Sequence, residues 1–126
     1  MHSTAHLYRA SQEGVAFAFR YGLDIMRSNG INPSVIRAGK TNMFLSNLFT
    51  KTFVSATGVP VELYESDGSI GAAIGAGIGA KVYKNTSEAF QHFQPLETIE
   101  PVDEEVQRYN DLYLGWKKQL LQQLDR

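Results

Sequence analysis

The chain has 126 residues, 43% hydrophobic and 20% charged, with 12 Lys and Arg against 13 Asp and Glu and a net charge of -1. That balance describes one ordinary globular unit and provides no basic footprint for nucleic acid or an anionic membrane. Because cysteine is absent, disulfides, zinc-thiolate centres and cysteine nucleophiles are excluded.

In chain order, Ser3 or Thr4 caps a first helix with apolar residues at three-and-four spacing: Leu7, Ala10, Gly14, Val15, Ala18, Gly22, Ile25 and Met26. Phe17, Phe19, Tyr21 and Leu23 lie off that stripe, so the spacing predicts a mostly buried helix packed on two sides. Ser28-Asn29-Gly30 forms a left-handed C-cap, and Pro33 prevents the helix from resuming. Ser34 to Ala38 is short and branched, hence strand-like, and Gly39 ends it. A second helix is expected from Asn42 to Thr57, with Leu45, Leu48, Phe49, Thr52, Phe53 and Ala56 on one stripe and Gly58 closing it.

Val59, Val61 and Leu63 alternate with Pro60, Glu62 and Tyr64, which predicts a second strand parallel to the first because a helix separates them. Ser66 to Ser69 caps a third helix that aligns Ile70, Ile74, Ile78 and Val82, with Gly71, Gly75 and Gly79 on the adjacent line. Each glycine costs roughly 1 kcal/mol of helix propensity, and close backbone packing against a neighbour is the expected compensation. Residues 85 to 101 read as a loop-rich connector with Pro95 to Pro101 as a linker. Asp103 to Leu124 reads as a charged terminal helix with Val106, Tyr109, Leu112, Tyr113, Trp116 and Leu120 inward.

Several local patterns carry chemistry only in the right context. Ser34 to Thr41 ends like a phosphate-binding P-loop, but serine stands where the first glycine belongs and the strand falls inside the pattern. Gly75-Ala76-Gly77-Ile78-Gly79-Ala80, with Glu97 at the distance of a ribose-binding acid, formally fits a dinucleotide fingerprint, yet its glycines recur within a helix. Glu13 is a paired, half-buried acid or a solvent-facing one, and no second carboxylate accompanies it at a fixed helical offset. His2 and His6 lack a third metal ligand, and His92 lies in a loop without partners. Lys40, Thr41 and Asn42 follow the Gly39 bend, where a helix tip exposes free amides; a simple N-cap and a nucleotide contact both fit.

Taken together, Arg9-Ala10, Glu13-Gly14-Val15, Gly22-Leu23-Asp24, the Ala38-Gly39 bend, Gly58-Val59-Pro60-Val61 and the Gly71-Ala72-Ala73, Gly75-Ala76 helix resemble the C-terminal domain of the FGGY carbohydrate kinases, most of all the xylulose kinases. The likeness covers Leu7 to Tyr83, with a weaker one over Tyr109 to Trp116. It implies an α/β fold, a partial ribonuclease-H-like (actin-like ATPase) domain with short parallel strands packed against helices, spanning residues 1–126 as the C-terminal portion of the nucleotide-binding domain.

The resemblance further implies ATP and Mg2+ as cofactors of the complete enzyme, transfer of the ATP γ-phosphate to a sugar hydroxyl, and xylulose as the sugar. Glycerol- or gluconate-type kinases share the domain, and a non-catalytic interaction module is the competing class. The family's glycine bend maps onto Ala38, Gly39, Lys40 and Asn42 as nucleotide contacts, with alanine at the first glycine and a short insertion before Ser46 to Lys51. No residue of this chain inherits a catalytic or metal-binding role, so the isolated chain is expected to be inactive and to lack an N-terminal lobe. Its open sheet edge predicts self-association as a homo-oligomer. Met1-His2-Ser3-Thr4 leads directly into helix without a leader pattern, and a cytoplasmic location is expected.

Overall fold

The computed structural model describes residues 2–125. Its elements run α1 (Thr4–Ser28), β1 (Ile36–Gly39), a 3-10 turn (Asn42–Leu45), α2 (Asn47–Thr57), β2 (Val61–Tyr64), α3 (Gly68–Gly79), a single-turn α4 (Thr86–Ala89), β3 (Glu97–Ile99) and α5 (Asp103–Leu124). The strands form one mixed sheet in the order β1-β2-β3. As expected, β1 and β2 are parallel, pairing Ile36 with Val61 and Gly39 with Tyr64.

Alternation along the strands separates two layers. Ile36, Ala38, Val61 and Leu63 face a core built with Ala16 and Phe17 of α1, Phe49, Phe53, Val54 and Ala56 of α2, and Tyr109 and Tyr113 of α5. On the other face Tyr64 stacks obliquely on Phe90 at 5.8 Å, and the Arg37 guanidinium lies 4.5 Å above the Phe90 ring.

Each helix ends where its chemistry directs. Ser3 caps α1 by accepting the His6 amide, while the His6 ring accepts the Ser3 amide in return, which accounts for His6 without a metal. At the other end Gly30 adopts φ +84°, and the amides of Gly30 and Ile31 return to the carbonyls of Arg27 and Met26, a Schellman closure. Gly58, at φ +69°, closes α2 in the same left-handed region.

Arg20 and Arg27 of α1 tie this helix to the end of α2, donating to the carbonyls of Ala56 and Thr57. Between them sits Asp24. Its burial disfavours charge, but Arg27 and Arg20 outweigh that and hold the carboxyl below its ordinary range.

Five expectations are corrected. First, helix α1 is not mostly buried: only Ala16, Phe17 and Leu23 are, and the periodic stripe residues Leu7, Ala18, Gly22, Ile25 and Met26 are exposed. The core selects the off-stripe aromatic because α5 presents Tyr109, Tyr113 and Trp116 to Phe17 at 5.8 to 6.1 Å between rings. Second, α2 starts at Asn47 rather than Asn42, because Ser46 breaks the run and its hydroxyl caps the Phe49 amide at 3.2 Å. Ser46→Ala is expected to destabilise the fold by about 1 kcal/mol, measured as a lower denaturant midpoint.

Third, the segment read as a linker contains β3, which pairs antiparallel to β2, with Ile99 opposite Val61 and Glu97 opposite Leu63. Three residues between two prolines are too few to show an alternation. Fourth, α3 ends at Gly79, and a Cβ added at Gly71, Gly75 or Gly79 would meet nothing within 4 Å, so these glycines do not provide close packing within this chain. Leu112, placed inward on α5, is also 45% exposed.

Candidate functional site

At the carboxyl end of β1 the chain turns through Gly39, Lys40 and Thr41 into the 3-10 turn, with Asn42 in the left-handed region at φ 52°. Ala38, Gly39, Lys40 and Asn42 thus lie together in one partly exposed corner between sheet and helix. Two of its amides are already used: Lys40 donates to the Tyr64 carbonyl and Thr41 to the Gly39 carbonyl, each at 2.8 Å. The helix tip itself lies further on, where Ser46 caps α2.

Gly39 is shaped by its neighbours. A Cβ there would sit 2.0 Å from the Ser66 carbonyl oxygen and 3.3 Å from the Asp67 Cα, so only glycine admits the turn between β2 and α3 against the strand. This apposition puts Ser66 and Asp67 beside the corner. The Asp67 carboxylate caps α3 through the amide of Ser69 at 2.9 Å and accepts the Ser69 hydroxyl as well. These bonds, the hydroxyl first, pull its carboxyl below the ordinary range.

Two recesses flank the corner. One of about 220 Å³ lies on the outer sheet face, between Ala38 and Gly39 below, Asp67 and Gly71 above, and Phe90 and Phe93 beyond. The other, about 520 Å³ and more open, runs over Lys40, Thr41, Glu65, Ser66, Asp67 and Leu96. The first is smaller than the roughly 300–1,000 Å³ of a pocket that encloses a whole ligand, as suits a wall contacting part of one. Lys40 reaches Glu97 at 3.6 Å, so the second recess is lined by the two carboxylates of Glu65 and Asp67 and by one paired cation. Such a rim accepts hydrogen bonds from hydroxyls more readily than it receives phosphate.

Glu65, Ser66, Asp67 and Glu97 are the residues that sequence reasoning did not bring to the corner. Ser66 to Ser69 reads locally as a turn and cap, and Glu97 had a counterpart only in the glycine pattern of residues 75–80. The structure puts that pattern inside α3, away from any strand-to-helix turn, and Glu97 against Lys40 instead. Of the other candidates, Glu13 is a paired acid, bonded to Arg9 at 3.0 Å and to the Tyr109 hydroxyl at 3.2 Å. Residues 36–39 of the P-loop-like pattern form β1. Among the described residues no group of three or more His, Cys, Asp or Glu is placed to hold a metal ion, and no helix is long and apolar enough to cross a membrane.

The sequence profile of the FGGY family of carbohydrate kinases, C-terminal domain, matches residues 1–80, which include α1, β1, the corner, β2 and α3. The chain belongs to the FGGY family of carbohydrate kinases. The L-xylulose/3-keto-L-gulonate kinase of Escherichia coli is 32% identical over 106 residues, covering 80% of this chain and 21% of that protein. The glycerol kinase of Chloroflexus aurantiacus is 31% identical over 124 residues, 95% of this chain and 24% of that protein.

Among solved structures, the xylulose kinase of Rhodospirillum rubrum superposes with a TM-score of 0.76 at 24% identity over 96% of this chain and 25% of its own. The gluconate kinase of Lactobacillus acidophilus does so with a TM-score of 0.71 at 22% identity over 93% of this chain and 24% of its own. These likenesses show the fold, the α/β ribonuclease-H-like, actin-like ATPase architecture of FGGY kinases. The chain spans between a fifth and a quarter of the length of these proteins.

Proposed function

We propose that this FGGY domain forms part of the adenine and ribose wall of the ATP cleft in a sugar kinase that transfers the ATP γ-phosphate to a sugar hydroxyl. The observation that carries the reading is the exposed corner Ala38 to Asn42, held in shape by the Ser66 carbonyl packed on Gly39. The flanking chemistry favours the nucleoside end of ATP. Phe90, Phe93 and Gly71 line the outer-face recess with apolar surface that a base can rest against, and Glu65 and Asp67 are acceptors for ribose hydroxyls.

Phosphoryl transfer needs a base that orients the attacking hydroxyl, clamps on the phosphates and a sugar pocket. The described residues do not fit Mg2+, since no three of their His, Asp or Glu side chains are grouped to hold a metal ion. The metal, the base and the sugar contacts are therefore assigned to the remainder of a kinase, and the chain alone is proposed to be inactive. Xylulose is the proposed sugar, supported by the family match and by a relative described as an L-xylulose kinase; glycerol is the alternative sugar-like acceptor suggested by the other relative.

One observation favours the non-catalytic reading: the Lys40 and Thr41 amides are already bonded within the chain and the Lys40 ammonium is paired. Titration of isotope-labelled chain with a non-hydrolysable ATP analogue separates the two. Nucleotide binding predicts shifts at the amides of Ala38 to Asn42 and of Ser66 to Gly68, with no ADP released from ATP and xylulose. An interaction module predicts unshifted amides, and ADP release by the purified chain would refute the assignment of catalysis elsewhere.

A further inference from the structure

Helix α2 carries three buried threonines, and one of them differs from the others. Thr50 and Thr57 turn their hydroxyls back along the helix and donate to the carbonyls of Ser46 at 3.0 Å and Phe53 at 2.8 Å, the usual outlet for a hydroxyl within a helix. Thr52 is equally buried, 2% exposed, yet its hydroxyl oxygen has no hydrogen-bond partner and leaves the Leu48 carbonyl one turn back unused. A buried hydroxyl without a partner costs free energy, so Thr52 points to a partner that the chain itself does not supply.

Thr52 stands in the wall of a recess of about 370 Å³ between α2 and α5, closed by the start of α1 and the end of β3. The volume lies within the roughly 300–1,000 Å³ of small-molecule sites. The recess adjoins β3, the sheet edge that is three residues long and blunted by Pro95 and Pro101, and not the open β1 edge. Other polar groups without partners meet Thr52 there. Arg9 donates its Nε to Glu13 and one terminal nitrogen to the Tyr109 hydroxyl, which leaves its other terminal nitrogen unbonded among the described residues. Among the same residues Lys51 and Glu100 form no ion pair, and Glu105 reaches only Arg108, at 3.5 Å. Leu48, Val54, Ile99 and Val102 supply aliphatic surface between these groups.

We propose that this recess between α2 and α5 is a binding site for a small uncharged polyol, with the Thr52 hydroxyl bonded to one of the ligand's hydroxyls. The charges select the class. An anion would meet Glu100 and Glu105, and a cation would meet Arg9 and Lys51. A hydroxyl both donates and accepts, so a polyol can face either kind of group. Its C–H surface rests on the four aliphatic side chains, whose burial adds to the hydrogen bonds.

The proposal does not rest on nucleotide binding and is read at other amides. Titration of the isotope-labelled chain with xylitol is expected to give saturable shifts at Lys51 to Ser55, Glu100 and Glu105, whereas sodium acetate, inorganic phosphate and ethylammonium chloride give none there. Thr52→Val keeps the shape and removes the hydroxyl. It should weaken xylitol binding about fivefold, the worth of one neutral hydrogen bond, without lowering the urea midpoint, because the hydroxyl it removes has no partner in the chain. Thr52→Ser restores the hydroxyl and should bind within about twofold of the wild type. Absence of saturable shifts with xylitol overturns the proposal, as does tighter binding of any of the three charged probes. Wild-type xylitol affinity in Thr52→Val, or a midpoint lowered by that substitution, overturns the role of Thr52 and the proposal with it.

Discussion

Gly39→Ala is expected to destabilise the protein by about 3 kcal/mol, because its methyl group must displace backbone rather than a side chain. The ideal Cβ position is 2.0 Å from the Ser66 carbonyl oxygen and 2.9 Å from the carbon that bears it. A flexible side chain could swing away from such a contact. The Ser66 peptide cannot, because the Ser66 amide is bonded to the Tyr64 carbonyl at 2.8 Å and Asp67 next to it caps α3. The turn and the first turn of α3 must therefore move as a unit. Thermal melting should show a drop of roughly 10 °C for a chain of this size, and amide shifts in the variant should concentrate at Ser66 to Ile70. A change below about 1 kcal/mol would mean that the β2–α3 turn does not pack on β1 as described.

Phe17→Ala is expected to cost about 3–5 kcal/mol, the range for removing a buried phenylalanine. Phe17 is 4% exposed and is the buried α1 side chain packed on the aromatic face of α5, its ring 6.1, 5.8 and 5.9 Å from Tyr109, Tyr113 and Trp116. Rigid rings from a single helix cannot collapse into the space, so the cavity persists. Urea unfolding should show a lower midpoint, and the near-UV dichroism of Trp116 should weaken. Leu7→Ala provides the contrast: Leu7 belongs to the periodic stripe yet is 64% exposed, and its loss should fall within about 0.5 kcal/mol. Equal effects of the two substitutions would contradict the packing of α1 on α5.

Much of the architecture is legible because it is local. Ser3, Gly30, Gly58 and Asp67 mark helix ends by side-chain or backbone chemistry that acts within a few residues, and all four do so in the structure. The parallel pairing of β1 and β2 follows from the helix between them. The terminal helix is found over the expected residues, Asp103–Leu124. The corner at Ala38 to Asn42 is likewise readable as a break between strand and helix, although the helix tip is delayed by Ser46, whose hydroxyl competes for the Phe49 amide.

What surrounds that corner is not local. Ser66 lies 27 residues beyond Gly39 and Glu97 lies 57 beyond Lys40, and no pattern in the chain couples them; the sheet brings them together by pairing β1 with β2 and β2 with β3. The burial of α1 was decided in the same way. Its sequence is apolar around most of its circumference, so periodicity alone could not choose a face, and the choice of Phe17 over Met26 was made by the aromatic surface of α5. Secondary structure, helix caps and family membership reside in the order of residues, since each depends on neighbours along the chain or on linked motifs. Which apolar face is covered, and which carboxylates meet Lys40, depends on contacts between distant segments, and these exist only once the sheet has formed.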